Sequence, residues 1–302
     1  MKKVVVIGLS GESVFLNVDH FNSSGETIKA KSRFIEPGGK GYNQAIMLGK
    51  LGVDVSFITV LGDDSYANVC KQVLIENKVK PCIITKKGLT DYAVITTDKT
   101  GDNHVIVSDR LSSSVTYSDI LKYINIIDSA DIVLLQLEYP YEVMKKVIEH
   151  CYELGIQVVL NPAPAKVLDL DLLRKVSVLI PNEFEVKHIL ENDDLTTEEI
   201  LKELELYGVE TTIVTCGGQN VLSYHDSKLK EHKVEKVDVV DTTGAGDTFC
   251  AGVVYGLSKN MNLDSSINFG IQASRLSVTK KGVINSLPSF KDVLKAVHES
   301  KE

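Results

Sequence analysis

The chain has 302 residues, of which 43% are apolar and 25% charged, with a formal net charge of −8. That length suits one large α/β domain, or a large domain with a smaller appendage, and either buries a sizeable core. The composition is that of an ordinary soluble globular protein, and its acidic balance argues against nucleic acid or an anionic membrane as the main partner; a local loop can still hold a phosphorylated ligand.

Residues 4–7 form an apolar run behind Met-Lys-Lys, cut short by Gly8, Ser10, Gly11 and Glu12. The pattern predicts a first strand rather than a signal peptide. No apolar stretch reaches the roughly 20 residues of a membrane helix, so the expected location is cytoplasmic. Further runs at 55–60, 132–135, 158–160, 178–180 and 213–215 predict strands, and amphipathic stretches at 40–51, 64–77, 141–153 and 183–190 predict helices between them. That alternation points to a parallel sheet covered on both faces. Two regions break the rhythm. Residues 14–36 and 91–108 alternate like strands around the polar turns at 23–25 and 98–103. They are either decorative hairpins or one small sheet projecting over the strand ends, where it would exclude water. Cys70, Cys82, Cys151, Cys216 and Cys250 stand far apart without metal-ligand spacing, so buried, reduced thiols are expected.

Residues 36–45, EPGGKGYNQA, put a glycine loop before a helix. Gly39 allows close approach of a ligand to the backbone, and Lys40 and Asn43 share the first turn. They suit sugar hydroxyls, although solvated or capping roles are commoner. Glu138 follows the 132–137 run, and NPAPA at 161–165 and PNEFE at 181–185 follow two other strands. Asn182 and Glu185, three apart, either converge on hydrated Mg²⁺ near nucleotide phosphates or cap a helix. Thr215-Cys216-Gly217-Gly218 is a third loop at a strand end, suited to a nucleotide or simply a turn.

Residues 237–257, VDVVDTTGAGDTFCAGVVYGL, are the most informative segment. Val237, Val239 and Val240 predict a strand end, and Phe249, Val253 and Leu257 recur at helical spacing. Gly244, Ala245 and Gly246 then fall at a helix N-terminus, where free N–H groups and the helix dipole can surround a phosphate or oxyanion. Asp247 would repel a phosphate already seated there. Its expected work is to take the proton of a hydroxyl as that oxygen attacks phosphorus. The plainer alternative is a tight turn with Asp247 stabilising the first helical turn. GxGxxG spacing fails at Phe249, and no GxxxxGK[ST] occurs.

VVVIG at 4–8, PGGKGYNQA at 37–45, LGDD at 61–64, NPAPA at 161–165, PNEFE at 181–185 and DTTGAGDTF at 241–249 together resemble the ribokinase-like (PfkB) family of carbohydrate kinases. The resemblance implies a mostly parallel α/β body (1–10, 37–90 and 109–302) with a β lid (11–36 and 91–108). It implies ATP-dependent phosphorylation of a primary hydroxyl on a small sugar, Asp247 acting as base and Gly244, Ala245 and Gly246 as anion hole. Gly11, Ser13, Gly39, Lys40, Asn43 and Glu138 match sugar-binding positions. Asn182, Glu185, Thr215, Cys216, Gly217, Gly218, Gln219 and Asn220 match nucleotide or Mg²⁺ positions. Asp241, Thr243, Ser277, Lys280, Gly282 and Ser286 match a monovalent-cation site for K⁺, with the Lys280 side chain required to point away. A homodimer through the lid is also implied. The chain departs from the family in carrying Gly11-Glu12-Ser13 where ribokinase-like enzymes have Asn-x-Asp, with Glu12 and Asp91 as candidate substitutes. Ile271 stands where many relatives place an asparagine near the adenine, and Cys250 replaces a common asparagine. A nucleoside kinase and a catalytically silent sugar sensor are the alternative readings.

Overall fold

β1 (Lys3–Ile7) is buried on both sides: Val4 and Val6 join one apolar layer, Val5 and Ile7 the other. Successive side chains of a strand point to opposite faces, so such a strand belongs in the middle of a covered sheet. The computed structural model describes residues 2–100, 102–192 and 194–300. The next strands are β2 (Gly11–Asn17), β3 (Ser32–Gly38), β4 (Asp54–Leu61), β5 (Lys80–Thr85), β6 (Tyr92–Thr97) and β7 (Asn103–Ser108). After them come β8 (Ile132–Leu135), β9 (Gln157–Leu160), β10 (Val178–Leu179), β11 (Thr211–Cys216), β12 (Asn220–His225) and β13 (Lys228–Lys233).

Helices α1 (Lys40–Lys50), α2 (Ser65–Glu76), the short α3 (Tyr117–Leu121) and α4 (Ile124–Asp128), α5 (Tyr141–Glu153) and α6 (Leu170–Leu173) fall between the earlier strands. α7 (Glu183–Ile189), α8 (Thr197–Leu206), α9 (Ala245–Ser258), α10 (Leu263–Ser277) and α11 (Phe290–Glu299) complete the two helical layers. Among the described residues no helix is long and apolar enough to cross a membrane. All five cysteines are free and buried.

The large sheet runs β13-β12-β11-β10-β9-β8-β1-β4-β5 and is parallel from β11 to β5, with β12 and β13 added antiparallel. From β1 the chain goes first to β4 on one side and later to β8 on the other. The order reverses at β1, and the crevice beyond the C-terminal ends of β1 and β8 is where open α/β sheets bind ligands. The segments between 11 and 38 and between 92 and 108 pair into a second sheet, β3-β2-β6-β7, through parallel β2 and β6. Phe15 and Phe34 stack across it with ring centroids 4.3 Å apart.

One expected strand is missing. Residues 237–240 belong to no strand, with a bend at Val240, and Val239 and Val240 are 59% and 62% exposed. The N–H groups of Val240 and Asp241 bond instead to the carbonyl of Val278 at the end of α10, so no ladder forms. The apolar alternation there serves a cavity wall rather than a sheet.

Candidate active site

α9 begins on a turn that only glycine suits. Gly244 has φ 76° and ψ 4°, and a Cβ built on it would stand 2.7 Å from Val283 Cγ1. An L side chain is therefore refused by both backbone and neighbour. The Ala245 N–H is engaged by the Thr242 carbonyl at 3.2 Å, and the helix ladder starts with Thr248 N to Gly244 O. Among the described residues the N–H groups of Gly244, Gly246 and Asp247 have no acceptor, so these rather than Ala245 are the open donors of the first turn. Gly246 has open space where a Cβ would be.

Asp247, 7% exposed, is held at both oxygens: Oδ2 accepts from Asn43 Nδ2 at 2.8 Å and Oδ1 from Gln44 Nε2 at 3.0 Å. Burial holds its carboxyl above the usual carboxylate range, opposed by the Lys40 charge and these two bonds. A carboxylate only accepts, so the amide nitrogen of Asn43 must face it. That leaves Asn43 Oδ1 buried without a partner, an acceptor waiting for a donor. Asn43, expected to grip sugar directly, thus spends its amide nitrogen on Asp247 and keeps only its oxygen unpartnered.

Burial alone would lower the Lys40 ammonium, but Asp247, Glu138 and Glu185 outweigh it and hold the group above its ordinary value. Glu138 arrives from the loop after β8 and accepts the first free N–H groups of α1, Lys40 N at 3.0 Å on Oε1 and Gly41 N at 3.1 Å on Oε2. Burial pushes its carboxyl up to about 7 against those bonds and Lys40. Gly39 is the N-cap of the same helix.

Lys40 and Asp247 line a cleft of about 250 Å³ together with Asn182, Glu185, Thr215 and Gly244 to Gly246. A second cavity of about 450 Å³ adjoins it through Thr215, Thr242, Ala245 and Gly246. Its wall is mostly apolar: Val221, Val234, Val237, Val239, Phe249, Ile271 and Val278, with Gly217 and Gly218 at the rim. A polar lobe joined to an apolar one matches a ligand with anionic groups at one end and a flat ring at the other.

Asn182 and Glu185 form a capping box on α7, Asn182 Oδ1 accepting from Phe184 N and Glu185 N while Glu185 Oε2 accepts from Asn182 N. They also line the polar lobe, so capping and a place in the cleft coexist. Cys216 is buried, and the Asn220 amide is tied to Glu231 across the β12–β13 hairpin. Gln219 sits in the connecting turn, bonded through its N–H to Cys216 O, and it does not line either cavity.

In the small sheet Gly11 pairs with Gly38 and Ser13 with Glu36. A Cβ on Gly11 would stand 2.6 Å from the Asp91 carbonyl oxygen, so no longer side chain fits there. Asp91 is not a free substitute: its carboxylate accepts from Leu111 N at 2.8 Å and Ser112 N at 2.7 Å. Asp241 anchors two loops, accepting from Thr243 N and from Gly282 N at 3.0 Å each. The hydroxyls of Ser277 and Ser286 donate to Ser274 O and Val283 O, and Lys280 is exposed. Sequence reasoning did not single out Gln44, Gln136 or Thr242 and left Asn161 without a role, although a polar Asn-Gln pair on the buried face of α1 is a signal of its own.

Residues 1–289 match the family described as pfkB family carbohydrate kinase. A ribokinase of Staphylococcus aureus (strain COL) is 35% identical over 306 residues, covering 96% of this chain and 98% of that protein. A crystal structure of a ribokinase from Thermotoga maritima superposes with a TM-score of 0.91 at 31% identity, covering 99% of this chain and 100% of that one. The structure of an Arabidopsis thaliana ribokinase complexed with ribose and ATP follows at TM-score 0.87 and 26% identity, covering 98% of each. With the family match spanning nearly all of its length, this chain belongs to the pfkB family of carbohydrate kinases.

Proposed function

We propose that the enzyme transfers the γ-phosphoryl group of ATP to a primary hydroxyl of a small sugar, as its ribokinase relatives imply. The observation that carries this reading is the buried Asp247 carboxylate standing next to open N–H donors where a polar and an apolar lobe meet. The acceptor oxygen forms its bond to the γ-phosphorus, the bond to the bridging β–γ oxygen breaks, and the hydroxyl proton passes to Asp247. Gly244, Gly246 and Asp247 N–H groups and Lys40 stabilise charge on the moving phosphoryl group. Glu138 and Asn43 Oδ1 orient the sugar, with Gly39 giving it close approach. The apolar lobe takes the base of the nucleotide, beside Gly217 and Gly218.

Asn182 and Glu185 suit Mg²⁺ held through water, since the capping box occupies only one carboxylate oxygen of Glu185. When bound, the ion neutralises charge on the phosphates. The paired loops at 241–243 and 277–286 suit K⁺. Asp241 ties the two loops together, Thr243, Ser277, Lys280, Gly282 and Ser286 on them would add oxygen donors, and the Lys280 side chain is exposed.

The body is assigned to 1–10, 37–90 and 109–302, and the lid to 11–36 and 91–108. The lid's edge strand β7 leaves Val105, Ile106 and Val107 exposed at 53%, 70% and 59%, an apolar edge with both faces open that suits a second copy of the chain. Ile106→Lys is expected to shift sedimentation from dimer to monomer. A wild-type monomer at micromolar concentration would remove the dimer.

A nucleoside acceptor is the second reading, favoured by one observation: at the start of β2 a Cβ on Gly11 would meet the Asp91 carbonyl oxygen, so the asparagine of Asn-x-Asp has no room there, and Ser13 stands at the position of its aspartate. ADP release measured across ribose, deoxyribose, other sugars and nucleosides, with and without K⁺, separates the two. Turnover highest with a free sugar and stimulated by K⁺ is expected; turnover confined to nucleosides would replace the sugar reading. ADP release indifferent to every acceptor would leave a sugar-binding sensor.

A further inference from the structure

Behind Asp247 lies a line of buried side-chain amides. Gln136, on the loop leaving β8, donates from Nε2 to Gln44 Oε1 at 2.5 Å. Gln44 donates from Nε2 to Asp247 Oδ1 at 3.0 Å, and the same nitrogen reaches Asn161 Oδ1 at 3.1 Å. Asn161 closes the line by donating from Nδ2 to Ile180 O at 2.9 Å. Gln44 and Gln136 are essentially without solvent exposure.

The direction of this line is fixed by chemistry. Asp247 accepts and never donates when ionised, so Gln44 must present its NH₂ to it and its oxygen to Gln136. Flipping Gln136 would bring two amide oxygens together. Nor has Gln136 room to leave: a Cβ on Gly8 would stand 2.2 Å from Gln136 Oε1 and 2.9 Å from Gly41 Cα, so β1's exit and the start of α1 close around it. Gln136 Oε1 is itself buried and unpartnered. An amide kept in that state gives up a hydrogen bond, and what it gains here is a single orientation for Gln44.

We propose that Gln44, oriented by Gln136, is a positioning residue for phosphoryl transfer, holding the Asp247 carboxylate ionised and aimed at the acceptor hydroxyl. The inference rests on Asp247 being the base. The charged and titratable groups facing Asp247 are Lys40 on α1, Glu138 after β8, Glu185 on α7 and Cys250 on α9 itself. A Gln44 variant leaves all four in place. Burial already holds the Asp247 carboxyl high, and the Gln44 bond opposes that. The base form disappears as pH falls through this raised value, so loss of the bond moves the acid limb of activity to higher pH.

The test measures kcat and acceptor KM against pH for wild type, Gln44→Met, Gln44→Glu and Gln136→Met, with Asp247→Asn as reference and ATP affinity as the check on folding. Gln44→Met is expected to lower kcat roughly 10-fold, raise the acid limb by about one pH unit and leave KM within about 3-fold. Gln136→Met is expected to act in the same direction more weakly. Gln44→Glu, of the same size but without the donor, is expected to lose at least as much as Gln44→Met. Folded Gln44 variants whose kcat and acid limb superimpose on wild type, beside an inactive Asp247→Asn, would overturn the proposal. An active Asp247→Asn would overturn the base assignment itself, and this inference with it.

Discussion

Asp247→Asn is expected to lower kcat by at least ~10²-fold with little change in ATP affinity. The substitution keeps the size of the side chain and its place at the start of α9. What it removes is the acceptor for the hydroxyl proton that stands beside the open N–H donors of α9. Lys40 is held protonated, and Glu138 has both oxygens on the N–H groups of α1. The donors at Gly244 and Gly246 remain, so nucleotide binding survives while chemistry does not. Steady-state kinetics with a parallel measurement of ATP binding checks both halves. Turnover within a few-fold of wild type would remove Asp247 as base.

Lys40→Met is expected to lower kcat/KM by ~10²–10³-fold, the range for deleting one preorganised stabiliser of developing charge. Lys40 is the cation that balances Asp247, Glu138 and Glu185 before any phosphate arrives. Without it the incoming anion meets three carboxylates. Asp247 also loses the leading influence that opposes its burial, so its carboxyl rises further and the acid limb of kcat/KM moves up in pH. A pH profile of the variant reads both effects. A loss below about 3-fold with an unmoved limb would show that Lys40 stabilises neither the phosphoryl group nor the base.

The parts of this fold that read plainly from sequence are those buried on both sides. β1, β4, β8 and β11 are covered by two helical layers, so they appear as continuous apolar runs, and α1, α2, α5 and α7 carry caps or amphipathic faces within about a residue of the expected ends. The β12–β13 hairpin is different. β13 reads Lys-Leu-Lys-Glu-His-Lys, an exposed edge held by its partner's backbone rather than by an apolar face, and charge of that kind hides a strand from pattern. Residues 237–240 fail in the opposite sense, since their valines look like a strand, while Val237 and Val239 instead wall the apolar lobe.

The site divides in the same way. Gly244 and Asp247 are legible because a glycine turn, a helix start and a carboxylate lie within four consecutive residues. Gln44 meets Asp247, Gln136 and Asn161 across 203, 92 and 117 positions, and no local spacing announces such a convergence. Asn182 and Glu185 show a third case: a spacing of three supports both a capping box and a place in the cleft, and the fold uses it for both.

The position of the new phosphate is the most direct evidence on whether this cleft joins ATP to a primary alcohol. Phosphorus NMR of the product formed from ATP and the best acceptor of the panel is expected to show one phosphomonoester per ADP, coupled to the methylene protons of the primary carbon. Phosphate on a ring hydroxyl, or ADP and inorganic phosphate forming at the same rate without any acceptor, would contradict it.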